Sequence, residues 1–527
     1  MKRILTAAAV LVSATGCRGG ETVSAEELAG RYLDAVGGVE RLESIRTVHT
    51  LDSLEMAGLS GTSEAWWQKE PFMGCITVSL GPVTQTMLIR GDSVWSVDRN
   101  GILMPGDELS RNQAALAAST VFYGAFSDES VLSALPDTVI EGGTGVARLV
   151  LGREGMEPAT FYLSTETWLP VLMHTRVMGM DIYSAPSGWE EISGILSPSG
   201  TNDRIPALGQ ESVSSNILTE YNVPVPGQIF SIDGGMRDWV LADEGVPHPF
   251  SLDGEHIYLM GEVCGRPVDI LLDSGAGATV IDSALAAELG LASAGSFSAL
   301  GVGGSSSFSF VVVPVYAAAG ATLTGQTVAA IPLDERFYPV TGHHIGLVLG
   351  YDFLSRFVTL IDYGAGALTL YDPEGFEYDG GGSVLEASRS MGLLSVEAVI
   401  EDSIAAQLLL DTGAGGALHF SPLFLERHPS LLEGRTVDEA SLQGVGGEAT
   451  TSTFEIGSLT LGSYVVEAGA SSAGADAPVL SAFDGIIGNS VLARFRVYLD
   501  YSGQRVILEP SSLFGAEPVP QPAEAAS

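Results

Sequence analysis

Apolar residues in this chain fall mostly into short runs broken by glycine and turn residues, which is the pattern of strands. Helical stretches are few. Ser24-Ala25-Glu26-Glu27 forms a capping box ahead of a predicted helix over 28–36, closed by Gly37-Gly38. Short helices are predicted over 39–44 and 107–121. Strands are predicted over 48–56, 61–68, 75–80, 84–90, 93–97, 147–151 and 160–163, with turns such as Gly91-Asp92 and Arg99-Asn100-Gly101 between them. A strand-rich connection over 217–232, interrupted by Pro224 and Pro226, leads to the second half. There, 257–263 and 268–272 read as strands around a turn at Cys264-Gly265-Arg266-Pro267. Asp282-Ser283 can cap a short helix through Glu288, and further strands are predicted over 310–315 and 358–361.

A tandem repeat organises residues 255–510. Ile270-Leu271-Leu272-Asp273-Ser274-Gly275-Ala276-Gly277 returns as Leu408-Leu409-Leu410-Asp411-Thr412-Gly413-Ala414-Gly415, an offset of 138 from Asp273 to Asp411. Leu349-Gly350, Arg356-Phe357 and Asp362-Tyr363 return as Ile487-Gly488, Arg494-Phe495 and Asp500-Tyr501 in the same register. Gly301-Val302-Gly303-Gly304 returns as Gly444-Val445-Gly446-Gly447, five residues out of that register. Insertions in loops around fixed strands have this effect. Each copy is small enough to be marginal alone, so the two are expected to pack against each other.

Composition narrows the function. The 527 residues carry 64 acidic and 24 basic side chains, a net charge of −40, and only two lysines, Lys2 and Lys69. Binding nucleic acid or bare anionic lipid needs clustered cations, so neither is expected as a partner. Lys2-Arg3, an apolar run to Val12, and Ser13-Ala14-Thr15-Gly16-Cys17 read as a signal segment over 1–16. It resembles the bacterial lipoprotein signal, which implies that Cys17 is acylated and that 17–24 tether the chain to a membrane of the cell envelope. Several acyl chains on one residue give stable anchoring. Cys75 and Cys264 are too isolated for a disulfide framework.

The repeated acids carry the candidate chemistry. Each Asp ends an apolar strand, and Gly275 and Gly413 permit close backbone approach. The hydroxyls of Ser274 and Thr412 can bond across to the opposite loop. Carboxylates brought within about 3 Å would repel by roughly 5 kcal/mol at an effective dielectric near 20. Such a pair shares one proton, activates a water with one carboxylate and protonates the substrate with the other. No metal or cofactor is required.

At these residues the sequence resembles the retropepsin-like aspartic proteases over about 245–512. That resemblance implies catalytic Asp273 and Asp411, supported by Ser274, Gly275, Ala276, Thr412, Gly413 and Ala414. It implies flap tips at Gly301–Gly304 and Gly444–Gly447, a protein or peptide substrate, and a monomer whose pseudo-dimeric site lies within one chain. The expected fold is mainly β, with two tandem retropepsin-like barrel units over 245–380 and 381–512 forming a pseudo-twofold domain. A flexible tail is expected over 513–527. Residues 25–232 are similar to the LolA/LolB-like lipoprotein-sorting fold, an antiparallel curved sheet with helices. Trp66, Trp67, Trp95 and Phe72 are read as core aromatics in preference to an acyl-chain cradle. His343, His344, His419 and His428 are read as loop or surface residues, and Asp334-Glu335-Arg336 as a solvated loop. The alternative to an endopeptidase is a non-catalytic envelope lipoprotein that binds peptide or lipid on a protease-like scaffold.

Overall fold

The computed structural model describes residues 23–140, 143–152, 157–177, 179–231, 237–301, 304–444, 447–473 and 483–515. The signal segment and Cys17 lie outside the described residues, as do Val302, Gly303, Val445, Gly446 and the tail from 516 onward.

Ser24 caps the first helix: the Glu27 N–H donates to Ser24 Oγ at 3.1 Å at the start of Ala25–Val36. Its buried residues, Leu28, Ala29, Tyr32, Leu33 and Val36, recur at helical spacing and form one stripe. That stripe packs on an antiparallel sheet of thirteen strands among the described residues. The first and last strands of this sheet in chain order, Thr47–Met56 and Gln210–Tyr221, pair with each other at its centre. Trp67 joins the core beneath the helices. Trp66 and Trp95 belong to a separate apolar patch with Cys75 and Leu88, packed with Val225, Ile229 and Phe230 from the connecting segment. Prolines 224 and 226 end strand pairing there, so the predicted connection is a strand only to Tyr221.

The second half is also sheet, but the expected pair of self-contained barrels is corrected. The first-repeat sheet runs from an edge at Trp239–Leu241 to another at Ala294–Gly301. The other sheet has thirteen strands, ends at His248–Pro249 and Asp438–Gly444, and takes strands from both repeats. Val358–Asp362 and Ala367–Tyr371 form a hairpin that leaves the first repeat, and Val358–Asp362 pairs with Phe495–Asp500 of the second, Val358 opposite Asp500. Each sheet curls back through one extra pairing but keeps free edges, so neither closes as a barrel. The reason is burial: Val358, Leu360, Tyr498 and Ile507 bury together across the shared strands, and a strand apolar on both faces needs cover on both sides. One continuous core joins the two repeats and reaches Met104 of the amino-terminal sheet.

Two local readings are also corrected. Asp334 and Glu335 sit in the first turn of a helix, Leu333–Thr341, where acids suit the helix dipole. His419 is buried and not on the surface: its ring nitrogens lie 2.6 Å from Ser472 Oγ and 2.6 Å from the Gly415 carbonyl.

Candidate active site

Strands Arg266–Leu272 and Ile404–Leu410 each end at an aspartate. Each runs parallel to a short apolar strand, Ile345–Leu349 and Gly485–Ile487, which fixes where the chain turns. The backbone N–H of Asp273 donates to Leu349 O at 3.0 Å, and that of Asp411 to Ile487 O at 3.1 Å.

The hydroxyl residues then lock the loops together. Ser274 N–H donates to Thr412 Oγ1 at 2.9 Å, and Thr412 N–H donates to Ser274 Oγ at 3.0 Å. Ser274 Oγ donates onward to Leu410 O at 2.8 Å, and Thr412 Oγ1 to Leu272 O at 3.0 Å. All of these groups are buried, so each bond also removes the desolvation penalty of an orphaned polar atom.

The loops approach too closely for side chains at the two glycines. A Cβ on Gly275 would lie 2.3 Å from Asp411 Cγ, and one on Gly413 would lie 2.4 Å from Asp273 Cγ. Each glycine N–H donates to the carboxylate of its own loop: Gly275 to Asp273 Oδ1 at 2.9 Å, Gly413 to Asp411 Oδ1 at 2.8 Å. Each carboxyl thus lies against the glycine of the opposite loop, and the two shift each other's titration. They keep part of their surface open while sitting deep among protein atoms.

Burial, and after it the charge of Asp411, pushes the Asp273 carboxyl well above the usual carboxylate range. Burial raises Asp411 too, opposed by the Gly413 N–H, the hydrogen bond from Asp273, and the nearby imidazoles of His419 and His256. Both carboxyls are thus held above the usual carboxylate range, and they titrate as a pair. Burial lowers the pKa of both His256 and His419, which favours their neutral forms.

The remaining sequence-predicted residues fall as follows. Ala276 and Ala414 close the turns, donating from N–H to the carbonyls of Asp273 and Asp411 at 3.2 and 3.3 Å. Gly301 pairs with Gly304, and Gly444 with Gly447, at the ends of two long hairpins. Gly304 and Gly447 have φ of 125° and 120°, which glycine adopts readily. Among the described residues, no hydrogen bond joins either hairpin tip to the two aspartates.

Several site residues carried no readable sequence signal. Glu255, at the turn before the strand His256–Val263, accepts from Gly416 N–H at 2.8 Å and bonds Ser490 Oγ. Asn489 Nδ2 donates to Thr412 O and to Glu255 O, both at 2.7 Å. Tyr363 donates to Asn489 Oδ1 at 2.6 Å.

The aspartyl protease family model matches residues 259–353, which include Asp273-Ser274-Gly275-Ala276 but not Asp411. No curated protein matches the chain. A DUF1329 family protein from Desulfovibrio piger is similar at 13% identity over 40% of this chain and 96% of its own, with a TM-score of 0.29. A LolA superfamily protein from Nitrosomonas europaea is similar at 14% identity over 40% of this chain and 99% of its own, also at 0.29. A retropepsin-like aspartic protease from Rickettsia conorii is similar at 18% identity over 24% of this chain and 89% of its own, at 0.18. The likeness to aspartyl proteases is thus partial.

Proposed function

We propose that the chain is an aspartic-type endopeptidase of the bacterial cell envelope, anchored through Cys17, with Asp273 and Asp411 as its catalytic pair. The observation that carries this reading is the reciprocal Ser274–Thr412 bonding, which holds two matched loops so close that each acid lies against the other loop's glycine. Structural turns have no use for two carboxyls in each other's field. A pair sharing one proton has a chemical use.

In this reading, a substrate water donates one proton to the Asp411 carboxylate as its oxygen attacks the peptide carbonyl carbon. Asp273 gives its proton to the carbonyl oxygen, forming a neutral gem-diol. Collapse of that intermediate breaks the C–N bond: Asp411 passes its proton to the leaving nitrogen, and Asp273 takes the proton released from one gem-diol hydroxyl, which restores the pair. Ser274 and Thr412 hold the geometry and take no proton.

A second reading is a non-catalytic envelope lipoprotein that binds peptide or lipid on a protease-like scaffold. One observation favours it: the family match stops at residue 353 and leaves the whole second repeat unmatched. Cleavage of an unfolded protein at acid pH, with a statine-type inhibitor as control, separates the two. Asp273→Asn and Asp411→Asn should each lower turnover about 1000-fold or more. Wild-type rates in either variant would remove the pair from catalysis. No cleavage by the wild-type chain would leave the binding reading.

A further inference from the structure

The amino-terminal sheet reaches the loop that carries Asp273. Its contact begins at the turn after the strand Ser93–Val97, where Asp98 Oδ1 accepts from the N–H groups of Asn100 and Ile102 at 2.8 and 3.0 Å. From this stiffened turn, Arg99 Nη2 donates to both oxygens of Asp352, at 2.9 and 2.7 Å. Asp352 is 1% exposed, and its Oδ2 also accepts from the Thr279 N–H at 2.8 Å. Thr279 ends the loop that begins at Asp273, and its Oγ1 accepts from the Gly350 N–H at 3.4 Å. Gly350 directly follows Leu349, the residue whose carbonyl holds the Asp273 N–H. The chain of contacts from the amino-terminal sheet to the candidate site therefore runs through Arg99, Asp352, Thr279 and Gly350, and by way of Leu349 to Asp273.

Neighbouring contacts point the same way. Asn100 Oδ1 accepts from Thr327 N–H at 2.7 Å, and Arg99 Nε donates to Thr327 O at 3.3 Å. The Arg99 guanidinium lies 5.7 Å from the centre of the Phe310 ring, on the first long hairpin. The other strand of that hairpin is tied down by Ser296 N–H donating to Ala57 O at 2.9 Å. In the second repeat the position equivalent to Asp352 is Ser490, which is uncharged and donates to Glu255.

We propose that Arg99 is a positioning residue for the Asp273 loop, and that the amino-terminal sheet is thereby part of the active-site framework and more than a spacer. The catalytic part of this inference rests on Asp273 and Asp411 being the reacting pair. A buried carboxylate needs a counter-charge to stay where it can hold a backbone N–H. Arg99 supplies it, and two N–H···O contacts from one planar group fix the direction of the Asp352 side chain as well as its charge. Without Arg99 the Thr279 end of the loop loses its anchor. A displacement of about 1 Å at a reacting group costs on the order of 100-fold in rate.

The test uses the full chain with Arg99→Gln, Arg99→Lys and the double variant Arg99→Gln/Asp352→Asn, which removes both charges together. Hydrogen–deuterium exchange is read at Thr279 and at residues 408–415, alongside kcat and KM on an unfolded protein. In Arg99→Gln, exchange at Thr279 should quicken while residues 408–415 keep wild-type exchange, and kcat should fall about 100-fold with KM little changed. Arg99→Lys should recover most of both. If Arg99→Gln does not fold, the double variant replaces it, with the same local loosening at Thr279 expected. Wild-type exchange at Thr279, or loosening spread equally over both loops, would overturn the proposal. Should the wild-type chain not cleave, the catalytic reading fails, and the exchange measurement alone decides whether Arg99 anchors Thr279.

Discussion

The two aspartate loops share a sequence and a geometry but not their supports. Loop 411–416 is braced from within the repeated half: Glu255, from the first repeat, accepts the Gly416 N–H, and Asn489 ties Thr412 to Glu255. Loop 273–279 is braced from outside, because its acid, Asp352, is charge-balanced by Arg99 of the amino-terminal sheet. The same asymmetry recurs nearby. Tyr351, the first-repeat equivalent of Asn489, accepts from Arg389 Nη1 at 2.7 Å, and Arg389 also donates to Pro105 O. Asp107 Oδ2 accepts from the Met391 N–H at 2.9 Å. A duplicated half can keep its reactive loop while its outer contacts diverge, because the loop's own bonds are satisfied mainly by its twin.

The sharpest way to break this comparison is through the paired arginines. Arg356 has a fully buried side chain, with Nε 3.0 Å from both oxygens of Asp238. Its equivalent, Arg494, is buried with an Nη2 that has no hydrogen-bond partner among the described residues. Arg356→Met should lower unfolding free energy by about 3–5 kcal/mol, since it strands a buried carboxylate. Arg494→Met should cost less than about 1 kcal/mol, since among the described residues Arg494 has no ion pair like that of Arg356 with Asp238. Equal losses in urea unfolding would show that the supports are alike after all.

A smaller effect tests what the loops share. Ser274→Ala and Thr412→Val each leave a buried N–H without its acceptor, and each should cost about 1–3 kcal/mol in thermal unfolding. Unequal costs would mean that the reciprocal bonding does not hold both loops to the same degree.

The smallest effect concerns pH. A carboxyl held above its ordinary value in the fold binds its proton more tightly there than in the unfolded chain. Its stability contribution is therefore full at acid pH and lost as pH rises through the raised value. Asp273 is raised well above that range, so wild-type stability should fall between the ordinary carboxylate range and neutrality. Asp273→Asn should flatten that fall, as measured by Tm across pH. A Tm profile unchanged in this variant would place the shared proton elsewhere.

Much of the candidate site was legible because it is local. A turn needs Gly at a fixed place beside its Asp, and the repeat displays that pairing twice at one offset. Ser24 and Asp282 both cap the helices predicted for them. The supports were not legible. Arg99 reads as one residue of a turn, and Glu255 as one acid among 64. Asp352 offered a faint signal, an acid set between Tyr351 and Phe353, but nothing in its sequence neighbourhood names a partner 253 residues away. His419 went the same way, since a lone imidazole carries no mark of burial.

Sequence by itself determined the strand-rich composition, the duplicated half and the two loops whose Asp, hydroxyl residue and Gly recur in register. Those features follow from backbone preference and side-chain chemistry within a few residues. Tertiary structure decided that strands 358–371 leave their own repeat to share a sheet with the other, and that the amino-terminal sheet anchors one loop through Arg99. An apolar strand can pair with any neighbour that buries it, and a buried carboxylate can accept any cation that reaches it. Which neighbour and which cation are chosen is settled by the packing of the whole chain.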